Sequence, residues 1–242
     1  MKKSIFAGIL LFLITAPVFA QEGTTSFGFT AGFVQPNEYY RAGAGADKLT
    51  KRLTNGFKVG FITESTFIKG FGVSMGLNYG FAADIQSYQR DNQTSLYPQS
   101  KEDHFYHFLE IPIDWQYKFT IAKKTYLTVY SGPTLQIGLS NTFEKYSKKE
   151  EGVTKTTTDI YTISADYDDI RDYNRVNVTW GVGLGFQYDR YFIRGGYDFG
   201  IMPIYHDSFF NTSASDKTEG WHRKGRLDQW QLKLGIYLWE MK

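Results

Sequence analysis

Phe71-Gly72-Val73-Ser74-Met75-Gly76-Leu77-Asn78-Tyr79-Gly80-Phe81 decides the fold. Every odd position is large and apolar, and every even one is Gly, Ser or Asn. A β-strand sends successive side chains to opposite faces, so this stretch has one greasy face and one small polar face. Closed into a ring, strands of this kind keep every backbone hydrogen bond internal while presenting apolar side chains outward. Such a ring spans a membrane.

The alternation recurs. Candidate strands run over Thr25 to Val34, Gly56 to Ser65, Gly70 to Ala83, about Phe108 to Phe119, Thr125 to Ser140, Arg175 to Tyr188, Tyr191 to Ile204 and Leu227 to Trp239. Each reaches the roughly 9–11 residues that a tilted transmembrane strand needs. Their connections are sorted by length. Thr66 to Lys69, Thr120 to Lys124 and Asp189-Arg190 are short, whereas 35–55, 84–107, 141–174 and 205–226 are long. Short turns at one end and long loops at the other belong to an all-β, eight-stranded antiparallel transmembrane β-barrel, with periplasmic turns and four extracellular loops. The location expected is the outer membrane of a double-membraned bacterium.

The first 20 residues read as a signal peptide, and 21–242 as one barrel domain. Lys2 and Lys3 precede the apolar run Ile5 to Ala16, and Val18 and Ala20 place small residues before a cut between Ala20 and Gln21. Without Lys2 and Lys3, the 27 basic residues fall to 25 and balance the 25 acidic ones. That balance argues against a nucleic-acid partner, which selects for a basic excess. The absence of cysteine suits an exported chain that does not rely on disulfides.

Aromatics make up 18% of the chain, and several fall at strand ends. Trp115, Tyr117, Tyr188, Tyr191 and Trp239 lie near the short-turn ends. Tyr79, Phe81, Phe108 and Trp230 lie near the other. The two sets are expected to form interfacial girdles against outer-membrane lipid and lipopolysaccharide.

The opposite parity carries charge. Glu110, Pro112, Asp114, Gln116 and Lys118 alternate with the apolar residues of the fourth strand; Arg194 and Asp198 do so on the seventh, and Gln231 and Lys233 on the eighth. These face the lumen, which in an eight-stranded barrel is just filled by side chains. The expected plug sets Glu110, Asp114 and Asp198 against Arg194, Lys233 and Lys118, because unpaired buried charges cost several kcal/mol each. Gly181, Gly183 and Gly185 leave room for it.

Leu109-Glu110-Ile111-Pro112-Ile113 with Gln116-Tyr117-Lys118-Phe119 resembles the "LEIP … KY" strand of the PorT-like outer-membrane β-barrel family. Ser131-Gly132-Pro133, Gly181-Val182-Gly183-Leu184-Gly185, Arg194 to Ile201 and the closing strand Gln231 to Trp239 resemble further parts of it. The resemblance implies the barrel fold. It also admits a link to a secretion or surface system, since that family includes a component tied to protein secretion.

Little points to chemistry. His104 and His107 are three apart, which puts them on opposite faces of a strand, and His206 and His222 lie in another long loop. No Ser/His/Asp set is defined, so no catalytic residue, metal or cofactor is expected. Asp166, Asp168, Asp169 and Asp172 could hold Ca²⁺, but EF-hand spacing is absent. Within the same loop, Thr156 to Ile163 is β-prone and is expected to extend the fifth and sixth strands above the membrane. The function expected is a non-enzymatic membrane anchor. It would be inserted by the barrel-assembly machinery and would present its loops to an extracellular or periplasmic protein or glycan. A passive small-solute channel and a rim-sited lipid-modifying enzyme are the alternatives.

Overall fold

The computed structural model describes residues 23–41, 49–67, 70–85, 89–90, 99–149, 152–161, 174–204 and 225–241. The expected leader, with Ala20 and Gln21, lies outside them, as do His206, His222 and the acidic cluster Asp166 to Asp172. Every described element is a strand. They are β1 (Thr24–Arg41), β2 (Leu49–Leu53), β3 (Asn55–Thr66), β4 (Phe71–Ile85), β5 (Gln89–Arg90), β6 (Gln99–Ala122), β7 (Thr125–Lys149), β8 (Gly152–Tyr161), β9 (Val176–Tyr188), β10 (Tyr191–Gly200) and β11 (Arg226–Met241).

Eight of these strands close a ring in the order β1-β3-β4-β6-β7-β9-β10-β11, all pairs antiparallel. First and last strands seal it, from Thr25↔Met241 to Tyr39↔Arg226. No ring strand is left with an unpaired edge, the condition for a sheet to sit in hydrocarbon.

The short turns have their own chemistry. Gly70 (φ 91°) ends the β3–β4 turn, and Lys124 (φ 61°) and Asp189 (φ 52°) take the same left-handed region at the other two turns. The Asp189 amide donates to the Lys124 carbonyl at 2.8 Å, and their side chains pair at 2.9 Å. The two neighbouring turns are thereby tied together.

At the opposite end the wall rises unevenly. β6 and β7 have 24 and 25 residues, far beyond the 9–11 that a membrane requires. Their upper halves pair with each other up to Gln99↔Lys148. β8 folds back on β7, β5 on β6 and β2 on β1. Of the stretch expected at Thr156 to Ile163, the residues up to Tyr161 lie in β8, the returning arm of a hairpin on β7, so among the described residues it extends the fifth predicted strand and not the sixth. The seventh predicted strand stops short of Ile204. β10 ends at Gly200, where the Ile201 and Met202 amides both turn to the Val178 carbonyl, and an isolated bridge joins Pro203 to Arg226 beyond it.

The two faces are inverted relative to a water-soluble protein. Phe61, Leu184 and Leu234 are each about 60% exposed, in a continuous apolar exterior that also includes Phe57, Val129 and Leu232. In water that area would aggregate, whereas lipid covers it. Inside, most buried residues are polar or charged. Three inward aromatics lie on glycines of a neighbouring strand: Phe108 on Gly80, Phe192 on Gly235 and Tyr130 on Gly183. Phe108 is fully buried, so it does not belong to the outer girdle expected from its place near a strand end.

Candidate functional site

The lumen is the site. Two hydrogen-bonded layers of charge fill it, with a third pair of charges between them. The layer nearer the short turns centres on Glu64 of β3, which is 1% exposed. Lys118 of β6 and Arg194 of β10 both ion-pair with it, and the Tyr237 hydroxyl donates to it at 2.6 Å. Arg194 spends its remaining donors on Ser74 Oγ at 3.1 Å and Gln116 Oε1 at 3.1 Å. Lys118 also donates to Gln187 Oε1 at 2.8 Å. With a further bond from Arg194 to the Tyr237 hydroxyl at 3.3 Å, five strands are bonded through one guanidinium, the rigid fork for which arginine is suited.

The layer nearer the long loops joins Lys58 of β3 to Glu110 of β6 at 2.5 Å. Gln136 and Gln229 donate to the other oxygen of Glu110 at 3.3 and 2.7 Å. Gln229 reaches on to Asp198 at 2.7 Å, and Gln231 donates to both Asp198 oxygens at 2.8 and 2.9 Å. Between the layers, Asp114 and Lys233 face a common cavity without direct contact. Four cations (Lys58, Lys118, Arg194, Lys233) balance four carboxylates (Glu64, Glu110, Asp114, Asp198) among these buried groups.

All six charges picked out in the sequence point inward, but their pairing differs from the expected one. Arg194 and Lys118 serve Glu64, Glu110 is neutralised by Lys58, and Asp198 is held by two glutamine amides. Lys58 and Glu64 are the residues that sequence reasoning missed. Their signal was the alternation of β3 itself, where Phe57, Val59 and Phe61 point outward. The three glycines of β9 accommodate inward groups: a Cβ on Gly185 would sit 3.1 Å from Arg194 Cγ, one on Gly181 would meet the Asp198 carboxylate, and one on Gly183 the Tyr130 hydroxyl.

The aromatics picked out at strand ends point outward. Trp115, Tyr117, Tyr188, Tyr191, Trp230 and Trp239 are between 40% and 64% exposed. Trp115 and Trp180 lie 5.8 Å apart on the outer wall, and the Trp180 indole donates to Ser131 Oγ at 2.9 Å. The histidines of β6 separate as expected: buried His104 donates from Nε2 to Asn141 Oδ1 at 2.6 Å, while His107 bonds the Tyr79 hydroxyl at 2.6 Å on the outer face. Among the described residues no three His, Asp or Glu side chains are placed to share a metal ion.

A closed eight-stranded ring with an apolar exterior and a charge-filled interior defines an outer-membrane β-barrel. The chain belongs to the outer membrane protein beta-barrel domain family, whose profile matches residues 19–206, and it is an outer-membrane protein of a double-membraned bacterium. No curated protein matches it. Among solved structures, it is similar to Ail, the attachment invasion locus protein of Yersinia pestis, at 15% identity and a TM-score of 0.38, over 90% of this chain and 100% of that one. Neisserial surface protein A matches at 8% identity and a TM-score of 0.40, over 89% and 99%. The N-terminal barrel of Pseudomonas aeruginosa OprF matches at 11% and 0.29, over 88% and 99%.

Proposed function

We propose that the protein is a non-enzymatic membrane anchor with a closed lumen, which carries a raised wall of strands to a partner outside the membrane. The observation that carries this reading is the lumen: both hydrogen-bonded layers span it from wall to wall. An ion crossing would have to break Glu64 from two cations and Glu110 from Lys58, so the arrangement weighs against a passive channel. The short turns face the periplasm and the long-loop end faces outward. The outward Trp and Tyr side chains mark the two interfaces with outer-membrane lipid and lipopolysaccharide.

The sheet formed by β5, the upper halves of β6 and β7, and β8 is the presented surface. Glu144 stiffens it, accepting from Lys155 at 2.7 Å and from the Tyr146 hydroxyl at 2.6 Å. Its partner is a protein or a glycan. The Leu109-to-Phe119 strand and the glycine-rich β9–β10 hairpin, which resemble the PorT-like family, favour a partner within a secretion or surface system. The experiment is proteolysis of intact cells followed by capture. Trypsin should cut at Lys155 from outside while Lys123 and Lys124 stay protected until the outer membrane is broken. Deleting 143–158 should abolish capture of the partner and leave the barrel inserted. Protection of Lys155 with cleavage at Lys124 would invert the reading.

A further inference from the structure

Asp114 and Lys233 stand apart from the other lumenal charges. They are 7% and 6% exposed, yet neither makes a hydrogen bond or direct ion pair with a described residue. Both line one cavity of about 10 Å³, with Thr30, Ser74, Asn78 and Arg194 on its walls. Gly76 opens that space: a Cβ there would come within 3.1 Å of the Phe61 carbonyl oxygen and 3.2 Å of Pro112 Cγ.

Two buried opposite charges that share a gap without touching are compensated through whatever fills it. Holding a water molecule takes roughly 10–15 Å³ of such space and two to four polar partners. A halide would meet the Asp114 carboxylate, and a metal cation would meet Lys233 and Arg194. A water satisfies both signs at once, because its oxygen accepts from the ammonium while its hydrogen donates to the carboxylate. We propose that the Gly76 cavity is a binding site for one ordered water, which turns Asp114 and Lys233 into a water-mediated ion pair.

The site does not depend on the lumen being closed, which conductance tests separately. Its own test is a crystal structure of the full mature barrel, alone and grown with bromide, together with Gly76→Ala. The expected result is a single water peak within about 3.2 Å of both Lys233 Nζ and an Asp114 oxygen. It should give no anomalous signal with bromide, and the Gly76→Ala methyl should abolish it. An anomalous bromide peak would make the site a halide site and overturn the proposal. Direct contact of Lys233 with Asp114 in wild-type density, with no water between them, would also overturn it.

Discussion

Replacing Lys58 with methionine probes the buried charge network at its simplest pair. Lys58 and Glu110 are each 1% exposed at the side chain and 2.5 Å apart. Lys58→Met keeps the length of the side chain and removes the charge. Glu110 then retains two amide donors, Gln136 and Gln229, and no cation in direct contact. Stranding a buried charge costs about 3–5 kcal/mol. The remaining amide bonds hold the effect near the lower end, about 3 kcal/mol. With a urea slope of roughly 1–3 kcal/mol/M, the unfolding midpoint in lipid vesicles should fall by about 1–3 M. The assay is the loss of the heat-modifiable folded band with increasing urea. Adding Glu110→Gln removes the stranded charge, so the double variant should recover at least half of the loss, a coupling of about 1.5 kcal/mol or more. Strict additivity, or a Lys58→Met shift within error, would refute the claim that the pair neutralises a buried carboxylate.

The other predictions are briefer. Gly183→Val would drive Tyr130 off the β9 wall and should cost about 1–3 kcal/mol through overpacking. Gly195→Ala, whose added methyl would lie 3.6 Å from Leu232 Cδ1, should be neutral in the same urea assay. Arg194→Met should destabilise more than Lys118→Met, since Arg194 bonds Glu64, Ser74, Gln116 and Tyr237 while Lys118 sits at the edge of that layer. The hydrogen bond that the exposed Lys124 ammonium donates to the Asp189 carboxylate holds its pKa above the ordinary lysine range. A raised folded-state pKa means that any stabilisation is complete below the unfolded lysine value and lost as pH rises through the folded one. Because this pair is exposed and screened, Lys124→Ala should lower the neutral-pH midpoint only slightly, and whatever difference appears should vanish as pH rises above about 10.

The strand pattern was legible because lipid rewards one parity of side chain and the lumen the other. Phe57, Val59 and Phe61, or Val182, Leu184 and Phe186, could only face outward together. The opposite parity contains Lys58 and Glu64, but Ile62 interrupts their inward face and hid them. Pairing was not legible, because it depends on which strands meet across a narrow lumen: Arg194 of β10 finds Glu64 on β3, on the other side of the ring. Position near a strand end also misled for Phe108. Its parity is inward, and Gly80 on the neighbouring strand makes space for its ring. The height of β6 and β7 escaped because their upper halves are polar and no longer alternate against lipid. Only pairing with each other and with β8 marks them as strands.

The central claim is that ion pairs close this barrel from wall to wall. Single-channel recording of the refolded protein in planar bilayers tests it most directly. The account predicts no steady conductance for the wild type, and intermittent openings in Arg194→Met, where the Glu64 layer loses its main link. A large, steady wild-type conductance, indifferent to Arg194→Met and Lys58→Met, would contradict it.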